Sequence, residues 1–267
     1  MSQLVKVVTN GLIRVDCIAD GNLSLKLNEW CIFRATRYED YGRITYIGDL
    51  PAEMENAEDV PHIKRHASLV DQGKVNENAA RCKSLHRKTE ALIAKHKLPM
   101  NLVHTHLTYD QRLVIFMFLA PGRVDFRVLL KDMNQAIAMR VELRQIGPRD
   151  QAGMVGGIGS CGRNLCCCSF MTNFVSINVK MAKTQNLSLN PTNIIGACGR
   201  LKCCLDYEFD GYKELLKTMP KIGSPCRCHG YVGEVVERNL LQQKVTVLLP
   251  DERLVERRIS ELRENAR

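Results

Sequence analysis

A chain of 267 residues is long enough for two domains and buries a core without disulfide staples. With 45% hydrophobic and 25% charged residues it reads as soluble and globular, and its longest apolar run, Leu113 to Ala120, is far too short to span a bilayer. A formal net charge of +9 favours an acidic partner, most often nucleic acid.

Residues 1–60 mix short apolar runs with turn signals (Asn10-Gly11, Asp20-Gly21-Asn22, Tyr41-Gly42) and predict a β-rich unit. The opening MSQLVKVVTNGLIRV lacks the apolar stretch and cleavage site of an export signal. The acidic piece from Glu53 to His62 reads as a boundary. From Asn76 the pattern turns helical, with Ala79, Cys82, Leu85, Thr89 and Leu92 at three- and four-residue steps up to the stop at Leu98-Pro99. Two strands follow, LVHTHLTY and RLVIFMFL, then a helix with Asp125 as its expected cap and Phe126, Leu129, Leu130, Met133 and Ile137 on its face, then the strand MRVELRQIG. The order α-β-β-α-β over 61–146 predicts an α+β unit with helices on one face of a sheet. Residues 147–219 are cysteine-rich and poor in periodic apolar residues, with helices expected at Ser176 to Gln185 and near Tyr212 to Thr218. Residues 220–267 alternate apolar and polar and predict a small SH3-like barrel with a polar tail.

Twelve cysteines without an export signal point to reduced thiols and metal rather than disulfides. Nine of them lie between Cys161 and Cys228. The pattern C-G-R-x-x-C-C occurs twice, as Cys161-Gly162-Arg163-Asn164-Leu165-Cys166-Cys167 and as Cys198-Gly199-Arg200-Leu201-Lys202-Cys203-Cys204. Each copy follows a glycine two residues earlier, Gly159 or Gly196. Glycine beside a thiolate lets backbone N–H groups approach sulfur, and Arg163 and Arg200 offer fixed positive charge to offset a thiolate cluster. The two-residue gap of a zinc knuckle is absent. The C-x₄-C spacing lies at the wide limit for zinc and is closer to iron–sulfur proteins, so the spacing favours one or two iron–sulfur clusters, with zinc or a thiol redox switch as alternatives. Side chains of neighbouring residues point apart, so Cys166, Cys167 and Cys168 are not all expected on one metal. Cys226 and Cys228 alternate on a strand and are secondary candidates, whereas Cys17, Cys31 and Cys82 read as small buried hydrophobes.

Among the histidines, His104 and His106 share a strand face without a carboxylate at a matching position, and His62, His66, His86 and His96 read as solvated. The stretch 81-RCKSLHRKTEALIAKHK-97 is a basic helix face. No nucleophile elbow, P-loop or dinucleotide fingerprint is present, and an enzyme of familiar type is not expected.

The segments GGIGSCGRNLCC and VKMAKTQNLSLNPTNIIGACGRLKCCLDYE strongly resemble the bacterial YaaT/RicT family, as do HKLPMNLVHTHLTYD, PGRVDFRVLLKDM and RVELRQIGPRD upstream. The similarity is strongest over roughly 80–208. It implies a cytoplasmic, non-enzymatic iron–sulfur protein with a PSP-one C-terminal domain. Such a protein joins two small helical partners in a complex that assists RNA processing by the membrane-bound endoribonuclease Y, with sporulation among the processes that depend on it. Carried over by position, Cys161, Cys166, Cys167, Cys198 and Cys203 are the expected ligands of a [4Fe-4S] cluster, with Cys204 next, and partner chains are a possible source of further ligands. Cys168, Cys226 and Cys228 depart from the family's pattern. Two functions follow for comparison: a regulatory iron–sulfur adaptor in RNA metabolism, and a zinc-stabilised module that binds nucleic acid directly. A redox carrier is a third, disfavoured by the lack of a flavin or nicotinamide motif.

Overall fold

Alternation of buried and exposed positions in QLVKVVT makes the first strand, and its inward residues Val5 and Val7 meet Cys17, Ala19, Cys31, Phe33, Ile44 and Ile63 in a closed core. In the computed structural model, which describes residues 2–9, 13–55, 59–171, 173–228 and 231–264, these residues belong to a five-stranded closed barrel. Its strands are β1 (Gln3–Thr9), β2 (Arg14–Ala19), β3 (Trp30–Arg34), β4 (Glu39–Asp49) and β5 (His62–His66), ordered β1-β2-β5-β3-β4. A short helix α1 (Ala52–Glu55) precedes β5. Gly42 lets β1 and β4 come together, since a Cβ there would lie 2.3 Å from Val7 Cγ1 and 3.0 Å from the Val8 carbonyl. Closure depends on β5, which pairs parallel with β2 at Ile18–His62 and antiparallel with β3. The barrel therefore takes in residues beyond 60, where the sequence places a boundary.

Ser68 then starts α2 (Leu69–His96) through a capping box: its side chain accepts from the Asp71 N–H while the Asp71 carboxylate accepts from the Ser68 N–H. The helix begins well before Asn76 because Leu69 and Val70 are exposed and leave no periodic signal. It stops at Lys97, in left-handed conformation before Leu98-Pro99. Strands β6 (Asn101–Leu107), β7 (Leu113–Leu119) and β8 (Arg140–Gln145) form a sheet in that order, with α3 (Arg127–Ile137) crossing between the parallel pair β7 and β8. Phe126 is the N-cap of α3, not Asp125, whose carboxylate accepts instead from the Arg127 N–H at 3.2 Å. One face of β7 (Val114, Phe116, Phe118) packs with Leu85 and Ile93 of α2 and Leu129, Met133 and Ile137 of α3. Its other face (Leu113, Ile115, Met117) packs with Ile13, Tyr38, Ile146 and Met154. Burial on both faces is why the strand reads as an unbroken apolar run.

Polar side chains connect barrel and sheet. Asp40 of β4 binds His106 Nε2 at 2.7 Å, and both are buried. Asp71 binds the Arg65 guanidinium at 2.6 and 2.9 Å and accepts from the Tyr109 hydroxyl at 2.5 Å. His96 pairs with Asp132 at 3.0 Å, and His86 Nδ1 lies 2.9 Å from Thr105 Oγ1, so neither is merely solvated.

After α4 (Pro148–Val155) the chain enters a second compact unit, residues 155–267, the first being 1–154. The second unit holds short helices α5 (Cys166–Ser169), α6 (Val179–Thr184) and α7 (Pro191–Ile194), then α8 (Cys204–Thr218). Strands β9 (Pro225–Cys228), β10 (Tyr231–Asn239), β11 (Lys244–Leu248) and β12 (Leu254–Arg258) follow, with α9 (Ile259–Glu264) last. These strands form a four-stranded antiparallel sheet in the order β12-β11-β10-β9, where the sequence suggests a barrel. The closed barrel of this molecule is N-terminal. Val235, Val245, Val247, Leu249 and Ile259 make the sheet's core, with Tyr212 and Leu216 of α8 packed on it. Among the described residues, no helix is long and apolar enough to cross a membrane.

Candidate functional site

The two C-G-R-x-x-C-C copies fold into the same tight hairpin. In the first, Ile158 and Asn164 form an antiparallel bridge, the Gly159 N–H donates to the Arg163 carbonyl at 2.8 Å, and the Gly162 N–H donates to the Gly159 carbonyl at 2.9 Å. In the second, Ile195 bridges Leu201, Gly196 donates to Arg200 at 2.8 Å, and Gly199 donates to Gly196 at 2.9 Å. The closing bonds also correspond: Leu165 N–H to Gly157 at 3.0 Å, Lys202 N–H to Ile194 at 2.8 Å. Gly162 and Gly199 sit at φ 78° and 72°, in the left-handed region where a side chain is strained. The repeat is thus a structural one. Its glycines turn the chain, and its arginines supply carbonyl oxygens to the turn while Arg163 and Arg200 themselves are exposed.

Each hairpin delivers its paired cysteines to a helix start: Cys166 and Cys167 open α5, Cys203 is the N-cap of α8, and Cys204 is its first residue. The partial positive charge of a helix N-terminus favours thiolates there, more for the longer α8. The second hairpin packs, through Leu201, on a small core of Met181, Ala182, Ile194 and Leu205, supported by the Gln185 amide donating to the Leu205 carbonyl at 2.6 Å. Phe170 and Tyr207 meet edge to face at 5.0 Å, tying the end of α5 to α8.

The thiols of the two copies converge. Burial, together with the neighbouring Cys203, Cys204 and Cys161 thiols, pushes Cys166 up to about 11. Cys167 is raised by burial and then by Cys203, with Cys198 contributing. Cys204 is raised by burial, then by Glu208 one helical turn on and by Cys203, while Lys202 pulls the other way. Ionisation of Cys166 and of Cys167 is therefore opposed by thiols of the other copy, which brings the two hairpins' sulfurs into one neighbourhood. Of the six expected ligands, Cys161 is exposed and the other five are half-buried. Among the described residues, no group of three or more His, Cys, Asp or Glu side chains already stands in a metal-holding arrangement.

Two further residues belong to this site. Lys202 donates to the Ser160 hydroxyl at 3.0 Å, joining the second hairpin to the first, and it is the cation felt by Cys204. Glu208 opposes it. Neither was marked by the spacing, because Lys202 occupies a variable position of the repeat where the first copy has Leu165. Outside the six, Cys168 is exposed, its sulfur 3.6 Å from where a Cβ on Gly156 would stand. Cys226 packs against the core of the C-terminal sheet, and the side chain of Cys228 lies outside the described residues. Cys17 and Cys31 are buried in the barrel, where burial raises both thiols, Cys31 to about 12.

Two family descriptions match this chain: the PSP1 C-terminal conserved region over residues 61–146, from β5 through β8, and the third domain of PSP1-like proteins over 176–219, from α6 through α8. A curated relative, the stage 0 sporulation protein YaaT of Bacillus subtilis (strain 168), is 41% identical over 234 residues, covering 87% of this chain and 85% of the relative. The chain belongs to the YaaT/RicT family. No solved structure matches it. In this YaaT/RicT member the second cysteine hairpin falls inside the matched third domain, whereas the first, at 158–167, lies between the two matched regions. Similarity to YaaT spans enough of the chain that barrel, sheet and cysteine unit together are family material.

Proposed function

We propose that this chain is a cytoplasmic regulatory iron–sulfur protein, without catalytic turnover, that acts as an adaptor in a multiprotein complex modulating RNA processing. The observation that carries this reading is that two equivalent hairpins bring their thiols near one another, Cys166 to Cys161, Cys203 and Cys204, and Cys167 to Cys198 and Cys203. Crowded thiols oppose one another's ionisation, and a bound iron–sulfur cluster reverses that by supplying positive charge to all of them. The ligands in this reading are Cys161, Cys166, Cys167, Cys198, Cys203 and Cys204, which must turn from their present positions to close on a common centre. The donor chemistry, all sulfur with Lys202 beside it and Arg163 and Arg200 near the turns, suits one [4Fe-4S] cluster, and a second would draw two further thiolates from other cysteines or from partner chains. A sporulation-related regulatory role is supported by the name of the Bacillus subtilis relative; small helical partner proteins and endoribonuclease Y enter this reading as what the resemblance of the sequence to the family implies.

Anaerobic purification followed by iron, sulfide and zinc analysis and a visible spectrum tests the metal. Brown protein with matched iron and sulfide, both lost in the Cys161→Ser, Cys198→Ser double variant, is expected; a partner pull-down with and without cluster then tests the adaptor role. Colourless protein with stoichiometric zinc overturns the iron–sulfur assignment. The second reading, a zinc-stabilised nucleic-acid-binding module, is favoured by the net charge of +9 and would then be followed by RNA titration against salt.

A further inference from the structure

Away from the cysteines, the first unit contains a cavity of about 490 Å³ between one stripe of α2 and strand β6, with Asp40 and Tyr41 of β4 at its end. Its walls are apolar, from Val75 and Ala79 of α2 and Val103 and Leu107 of the β6 side. The volume falls within the range of cavities that enclose metabolites and cofactors, which pair apolar walls with a few convergent polar groups.

The cations among the lining groups are Lys83 and Arg87. Lys83 and Arg87, four residues apart on α2, line the cavity and are exposed, and neither is paired with an acid among the described residues. His86 is held by Thr105 at 2.9 Å, and His106 is fixed by the buried Asp40 at 2.7 Å. Of the two carboxylates that line the cavity, Asp40 is buried and also accepts from the Tyr41 and Tyr109 N–H groups, whereas Glu90 is exposed, 3.6 Å from His86 Nε2. His104, half-buried, has no hydrogen-bond partner for its ring among the described residues, and burial with its neighbours His106 and His86 lowers its pKa. What remains facing the space is two free cations, an unpartnered imidazole and an apolar wall.

We propose that this cavity binds a small phosphomonoester with an apolar or aromatic body, a mononucleotide in type, the phosphate held by Lys83 and Arg87 and the body lodged against Val75, Ala79, Val103 and Leu107. The planar fork of Arg87 suits paired phosphate oxygens, and the second cation matches the dianion. A neutral ligand leaves both cations without a counter-charge, and a metal cation is repelled by them. A site of this kind makes the PSP1 region a sensor of a metabolite, independent of whatever the cysteines hold.

The test is calorimetric titration of the full chain with the common ribonucleoside monophosphates, adenosine and inorganic phosphate, at low salt. One saturable site for at least one of the monophosphates is expected, with adenosine weaker by about tenfold or more. Lys83→Ala, Arg87→Ala, on an exposed helix face, is expected to fold normally by circular dichroism and to lose about tenfold or more in affinity. Bound nucleotide is expected to slow alkylation of Cys82, which lines the same cavity, as read by peptide mass mapping. Absence of saturable binding by every monophosphate at millimolar concentration overturns the proposal. So does equal binding of adenosine, or unchanged affinity in the folded double variant.

Discussion

Gly162 and Gly199 occupy equivalent corners of the two cysteine hairpins, both with positive φ and both with nothing within 4 Å of an added Cβ. Substitution there meets no clash, so the penalty is purely one of backbone conformation. Gly162→Ala and Gly199→Ala are each expected to destabilise the second unit by about 1 kcal/mol, read as a lowered melting temperature, with similar values for the two sites because the turns are equivalent. Asp71 is constrained in the opposite way, by partners. The half-exposed Arg65, the Tyr109 hydroxyl and Ser68 hold its carboxyl well below the usual 3.8, against the opposing effect of burial. A depressed folded value means stability that is fully present above the unfolded carboxylate pKa and lost as pH falls through the folded one. Asp71→Asn is therefore expected to cost about 2 kcal/mol at neutral pH, and the gap from the parent protein should narrow as melts are taken from pH 7 to pH values below 4. A gap that stays constant through the acid range would assign the loss to packing rather than to charge.

At the level of elements, α2 and α8 each carry an exposed glycine, Gly73 and Gly211, with open space where a Cβ would go and no positive φ. Neither serves a turn or a close approach. Gly73→Ala and Gly211→Ala should each stabilise by about 0.5–1 kcal/mol in thermal melts, opposite in sign to the hairpin glycines. The same distinction explains what could be read in advance. Strand β7 and the order α-β-β-α-β were legible because burial on both faces of β7 writes an unbroken apolar run into the chain and burial on one face of α3 writes a helical period. The polar HIKRH of β5 was not, since its place in the barrel follows from pairing with β2 and β3 rather than from any apolar rhythm. Alternation in the C-terminal strands announced strands but carried no information on closure, which depends on which edges meet. At the site, the cysteines were legible from the repeat, while Lys202 and Glu208 were not, because they act by proximity after the hairpins form. The Asp40 partner of His106 lies 66 residues away along the chain, beyond the reach of any local pattern.

For the molecule as a whole, the two units rest on unequal foundations. Residues 1–154 hold a barrel core and a helix–sheet core, both built from large, fully buried side chains. In residues 155–267 the C-terminal sheet has its own core, whereas the core beside the second cysteine hairpin is small, with Met181, Ala182, Ile194 and Leu205 buried and Ile177, Leu201 and Phe209 packed against them. A layer so thin in apolar contacts lies near the bottom of the local stability scale, unless something bound to the thiols adds to it. On the proposed reading, in which the thiols hold a metal, treatment with a chelator should therefore act selectively. Amide hydrogen exchange in the segment 157–205 is expected to accelerate by about tenfold or more, whereas β1, β4 and β7 keep their protection. Peptide-level mass spectrometry of exchanged protein, before and after chelation, separates the possibilities. Acceleration confined to the hairpins means the sulfurs hold a bound group that completes the fold there. Unchanged exchange in the hairpins means their hydrogen bonds alone suffice, and the converging thiols then serve chemistry rather than stability.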